Sequence, residues 1–94
     1  MFIEMNLIYP FKSTRKKIIH SLEKYKLDIE KLDDCIEFNI YKDTYSEKII
    51  YMIKWTSWES MNENTDKEKF KKRVEEMMNL QKFPAEVYRL EENH

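Results

Sequence analysis

The stretch from Lys48 to Met78, KIIYMIKWTSWESMNENTDKEKFKKRVEEMM, constrains the fold of this chain more than any other. Residues Ile49 to Trp55 are apolar apart from Lys54, the composition of a strand buried over most of both faces and therefore central in a sheet. Thr56 with Glu59, and then Thr65 with Glu68, fit the capping-box pattern, in which a hydroxyl and a carboxylate satisfy orphan backbone donors reciprocally. The spacing predicts a short helix directly after the strand and a longer one after that. In the longer helix Phe70, Val74, Met77, Met78 and Gln81 fall on one face at about 3.6 residues per turn, so that face covers a sheet.

The remaining segments read as partners for this unit. Phe2 to Tyr9 is a first strand, ended by Pro10, which cannot donate to a ladder. Ser13 or Thr14 caps a helix from about residue 14 to about 31, with Ile18, Leu22, Tyr25, Ile29 and Leu32 as its apolar stripe. CIEFNIYK alternates as a second strand with Ile36, Phe38 and Ile40 on one face. DTYSE turns into the central strand, and Pro84 opens a last strand, AEVYRLE. The order β-α-β-β-α-β with two crossover helices is the α+β, ferredoxin-like split βαβ layout, a four-stranded antiparallel sheet with helices on one face. Its other face is left open, and because the strands carry apolar residues on both sides, Ile3, Met5, Leu7 and Tyr9 alternating with Phe2 and Ile8, a single copy exposes a large apolar patch, which predicts a homodimer packed sheet to sheet.

Composition then narrows the function. With 94 residues and no Pro- or Gly-rich interruption the chain is one domain, 1–94, and its 41% hydrophobic and 14% aromatic content supports a packed core despite 37% charged residues. There is no glycine, which excludes the dinucleotide and phosphate loops that need close backbone approach. The 17 basic and 18 acidic residues are interspersed at a net charge of −1, so no electrostatic footprint for nucleic acid or an anionic membrane is expected, and KSTRKK and KEKFKKR read as solvated helix faces. The single cysteine, Cys35, reads as a small core residue; with no signal-like N-terminus and no spanning apolar run, the expected location is the cytoplasm.

The run DDCIEFNIYKD, followed by KIIYMIKWTSWESMNEN, KEKF and PAEVYRLEE, resembles the antibiotic biosynthesis monooxygenase superfamily of dimeric α+β barrels over nearly the whole chain. The family pattern falls on Cys35, Trp55, Ser60-Met61, Asn64 and Phe70. It departs from the pattern where Asp34 replaces a glycine, Ile53 a glutamate and Asn64 a histidine. The resemblance implies a cofactor-independent monooxygenase that oxidises a small phenol or quinol with dioxygen, using neither metal nor flavin. It further implies Asn6 and Asn64 as catalytic groups that orient the phenol, and Tyr51, Trp55 and Trp58 as substrate-binding walls, with the proton passing to water or to Glu4 or Glu37. For each of these residues the residue-level reading favours the plainer role: Tyr51 and Trp55 as core aromatics, Trp58 as a partly exposed cover and Asn64 as a neighbour of the second cap.

A second branch of the resemblance, the haem-degrading monooxygenases, keeps only Asn6. Val74 stands where that branch has its iron ligand, His20 faces away from the apolar stripe, and His94 is the last residue, so neither haem nor another metal is expected. Two classes of function stay open: oxidation of a small aromatic molecule, and a non-catalytic dimeric module that binds a small apolar ligand or is structural.

Overall fold

The computed structural model describes residues 1–65 and 67–93, Thr65 by its backbone alone. The elements are β1 (Phe2–Pro10), α1 (Arg15–Glu30), β2 (Cys35–Lys42), β3 (Ile49–Trp55), α2 (Trp58–Thr65), α3 (Glu68–Met78) and β4 (Gln81–Glu91). The four strands form one antiparallel sheet in the order β2-β3-β1-β4. This is the ferredoxin-like α+β layout expected, with the short α2 inserted before α3.

Register sets which side chains meet the helices. Glu4, Asn6 and Ile8 of β1 lie opposite Ile53, Tyr51 and Ile49 of β3, and all six are buried. Phe38 of β2 lies opposite Ile53 on the same face. Ile18, Leu22, Tyr25 and Ile29 of α1, with Phe70 and Met77 of α3, close over them. Four rings make the centre. Tyr25 meets Phe38, Tyr51 and Phe70 at centroid distances of 5.5, 6.1 and 5.7 Å, and Phe38 stacks on Tyr51 at 5.6 Å. Such pairs contribute roughly 0.5–1.5 kcal/mol each beyond their buried area. Asp28 of α1 binds Arg73 of α3 at 3.1 Å, tying the two long helices together above the sheet.

Several local expectations are corrected. The first hydroxyl after β3, Thr56, is not the cap of α2: Ser57 accepts from the Ser60 amide at 3.1 Å, and Thr56 instead reaches Asp34 at 3.3 Å. The cap expected at Thr65 rests on a side chain outside the described residues, and Lys67 occupies the N-cap of α3. Thr14 precedes α1 without a side-chain cap bond, because its hydroxyl donates to the Leu80 carbonyl at 2.6 Å and pins the start of the helix to the entrance of β4. Ile36 does not share a face with Phe38 and Ile40. A register shift between Cys35 and Glu37 sets Cys35 opposite Trp55 and leaves Ile36 exposed.

The central strand β3 is not buried on both faces. It alternates, with Ile50, Met52 and Lys54 half-buried on the side away from the helices. Gln81 is the first residue of β4 rather than the last of the α3 face, since α3 ends at Met78. Pro10 is the last residue of β1, as expected to within one residue, whereas Pro84 lies inside β4 rather than at its start. β4 is an edge strand, where a missing N–H breaks no central ladder, and its pairing with β1 shifts register on both sides of Tyr9.

Candidate functional site

The helix side of the sheet is filled beneath α1 and less so beneath α3. A cavity of about 170 Å³ lies between β1, β3, β4 and α3, walled by Asn6, Ile8, Tyr51, Val74, Met77, Met78, Gln81, Pro84, Ala85 and Val87. Its origin is local. Val87 faces Asn6 across the β1–β4 ladder, and α3 reaches this side with Val74, Met77 and Met78, whose narrow or unbranched side chains leave space that a ring would fill.

Asn6 and Tyr51 are the two expected site residues that the fold brings together: they are register partners and both line this cavity. Asn6 is 5% exposed, and its amide nitrogen is buried with no hydrogen-bond partner among the described residues. An unmet buried donor costs about 1–3 kcal/mol, which a ligand accepting that bond would recover. Burial, first, and then the neighbouring Tyr25 and Glu4 push the Tyr51 phenol well above its ordinary proton affinity. Tyr51 therefore stays protonated and acts as a wall or an O–H donor, not as a base.

The other three expected residues lie elsewhere. Trp55 is 1% exposed at the end of β3, away from the cavity wall, with an indole nitrogen lacking a partner among the described residues. Trp58 begins α2 and is 56% exposed. Asn64 is buried, but its side-chain nitrogen donates to the Ser60 carbonyl at 2.8 Å, closing α2 on itself. These are the bland alternatives that composition offered for Trp55 and Trp58, and Asn64 is engaged within its own helix.

Two residues gain importance that sequence reading gave them only in passing. Glu4 is 4% exposed and next to Asn6 on the same face of β1, whereas Glu37 is exposed and accepts from Asn39 at 2.7 Å. Gln81 lines the cavity; its nitrogen points at the Met77 carbonyl at 3.5 Å, and its oxygen is buried with no partner among the described residues. A polar residue at the end of an otherwise apolar helical stripe was the one signal in the sequence for Gln81.

Val74 forms part of the cavity wall and His20 is exposed on α1, while His94 lies outside the described residues. Among the described residues no group of three or more His, Cys, Asp or Glu side chains could hold a metal ion, and no helix is long and apolar enough to cross a membrane. Cys35 is half-buried, with its thiol pushed up mainly by burial.

No protein-family model and no curated protein matches the sequence. Solved structures do match the fold. A candidate antibiotic biosynthesis monooxygenase from Deinococcus radiodurans superposes with a TM-score of 0.91 at 10% identity, covering 100% of this chain and 94% of that one. A candidate antibiotic biosynthesis monooxygenase from Nitrosomonas europaea gives 0.90 at 4% identity over 100% of both chains. A mutant of SnoaB, a cofactor-independent oxygenase from Streptomyces nogalater, gives 0.87 at 6% identity, covering 99% of this chain and 93% of that one. The chain has the fold of the antibiotic biosynthesis monooxygenase structures.

Proposed function

We propose that the chain is a cofactor-independent oxygenase of a small, electron-rich aromatic substrate, a phenol or quinol, bound in the cavity between the sheet and α3. The observation that carries this reading is the buried amide nitrogen of Asn6, unpartnered among the described residues, in a residue that walls a mostly apolar space. An engineered cavity of about 150 Å³ is enough to admit benzene, so about 170 Å³ suits one ring. The fold shared with SnoaB supports the reaction class.

In this reading the substrate supplies all the electrons. A benzene-1,4-diol and dioxygen give a hydroxyquinone and water: one oxygen atom forms a C–O bond to the ring and the other leaves as water with the two hydrogens the substrate loses. Asn6 donates to the phenolic oxygen, favouring the anion that reduces dioxygen. Among the described residues no ionisable acid or base other than the protonated Tyr51 lines the cavity, so the proton leaves to solvent through the mouth or to Glu4 along β1. The face of the sheet away from the helices, where Met5, Ile50 and Met52 are half-buried, closes against a second copy of the chain.

That lack of a base at the wall favours the competing reading, a small-ligand-binding module without turnover. Oxygen uptake with a panel of benzenediols and substituted phenols separates the two. Uptake above the buffer rate, lost in Asn6→Leu, supports the oxygenase; binding without uptake for every member of the panel supports the module.

A further inference from the structure

Two cavity residues carry buried polar atoms that lack partners among the described residues, and the two atoms are of opposite kind. The Asn6 nitrogen is a donor and the Gln81 oxygen an acceptor. The orientation of Gln81 follows from its other end, because the nitrogen is turned to the Met77 carbonyl and leaves the oxygen without a bond. Of the rest of the wall, Ile8, Val74, Met77 and Val87 are apolar, and Tyr51 adds a protonated hydroxyl.

The spacing of the two residues selects a ligand shape. Gln81 pairs with Pro10, four β1 residues from Asn6 across a stretch whose β1–β4 register shifts on both sides of Tyr9, so the two positions are separated by up to about 13 Å of strand. Oxygens at opposite ends of a benzene ring are about 5.5 Å apart, and a hydrogen bond of about 2.8 Å at each end extends the span to about 11 Å. Both side chains line the same cavity, so a ligand of that span can lie between them. Oxygens on adjacent ring carbons are too close together to engage both residues.

We propose that Gln81 is a specificity-determining residue of this cavity: with Asn6 it selects a single aromatic ring bearing oxygens at opposite ends, at least one of them a hydroxyl, over the same ring with one oxygen. Asn6 donates to one oxygen, and the hydroxyl at the far end donates to Gln81. The inference rests on the ligand-binding reading of the cavity but not on turnover. A site built to bond a hydroxyl discriminates strongly against an analogue that lacks it, because its own polar group is then left buried and unmet.

The test is anaerobic titration calorimetry of the full chain with benzene-1,4-diol and with 4-methylphenol, which replaces one hydroxyl by a methyl of similar size. The expected result is at least ten-fold tighter binding of the diol, and a preference reduced to three-fold or less in Gln81→Met, which keeps the side-chain length. Gln81→Leu serves as a second variant, and both are compared with the parent by melting temperature. Equal affinity of the parent for the two ligands, no binding of the diol at millimolar concentration, or an undiminished preference in folded Gln81 variants overturns the proposal. A Gln81-dependent preference without oxygen uptake supports it while removing the oxygenase reading; uptake with no such preference does the reverse.

Discussion

Asn6 and Tyr51 lie opposite each other in the β1–β3 ladder and both wall the cavity under α3, yet their polar groups differ in kind. Asn6 carries a buried nitrogen with no partner among the described residues, and Tyr51 a phenol that burial keeps protonated. The pair can orient an oxygen but cannot remove a proton. On the oxygenase reading, the site therefore relies on a substrate acidic enough to ionise with help from hydrogen bonds alone, or on Glu4 as the receiving carboxylate.

The first prediction separates stability from function at Asn6. Removing a polar group whose bond is unmade costs little, since the unfolded chain loses its hydration while the folded state loses a penalty. Asn6→Leu is expected to leave the melting temperature unchanged or raised. It is also expected to lower kcat, or ligand affinity where there is no turnover, by ten-fold or more. A variant that melts much lower with binding unchanged would make Asn6 a structural hydrogen-bond partner.

The fold was legible in the sequence because the signals for it are periodic. The β3 run, the α1 stripe and the β2 alternation each repeat one kind of residue at one spacing, and the structure reproduces β2 and β3 at the expected boundaries. Several of the errors sit where a local detail decides. Ser57 rather than Thr56 caps α2, and a shifted register at Cys35 turns Ile36 outward, neither of which a repeat can report. The lining of the candidate cavity was legible in part for a similar reason. Asn6 and Tyr51 belong to strands whose register follows from the fold. Gln81 enters the cavity only because α3 stops at Met78, and Trp58 leaves it because α2 begins with that residue at the surface.

A second prediction concerns alkaline pH. The Tyr25 and Tyr51 phenols are both raised above their ordinary value near 10, chiefly by burial, with the Glu4 carboxylate adding to each. The stability they contribute is fully present below pH 10. It is lost as pH rises above that, because the unfolded chain ionises there and the folded one does not, by up to about 1.4 kcal/mol per pH unit for each group. Denaturant unfolding at pH 8, 10 and 11 should show a falling midpoint, and Tyr25→Phe should flatten the fall. An equally steep fall in the variant would assign it to other groups.

A third prediction concerns acid. Glu86 accepts from the Tyr9 hydroxyl at one oxygen and from Tyr88 at 2.8 Å at the other. These bonds, Tyr9 first, hold its carboxyl below the ordinary value of 4.5. A lowered folded value gives a contribution that is present above pH 4.5 and lost as pH falls through the lower folded one. Glu86→Gln should narrow the difference in melting temperature between pH 7 and pH 3. The group is solvent-exposed, so the expected change is small, and an unaltered difference would mean that the two phenols give the carboxylate no net preference.

The last prediction uses the alternation of β3 to test association. Met52 and Ile53 are neighbours in one strand and point to opposite sides of the sheet: Ile53 is 0% exposed against Phe38 and the helices, whereas Met52 is half-buried on the uncovered face opposite Met5 and Asn39. The same lysine placed at each should therefore have different consequences. Ile53→Lys buries an unpaired charge in the core and is expected to unfold the chain or lower its stability by several kcal/mol. Met52→Lys can keep its ammonium in water in a single copy, but would set two like charges in an apolar contact if this face joins two copies. Sedimentation at micromolar concentration should give a dimer for the parent and a folded monomer for Met52→Lys. A parent that sediments as a monomer, or a Met52→Lys variant with undiminished mass and melting temperature, would show that the apolar strip of Met5, Ile50 and Met52 does not hold a second copy.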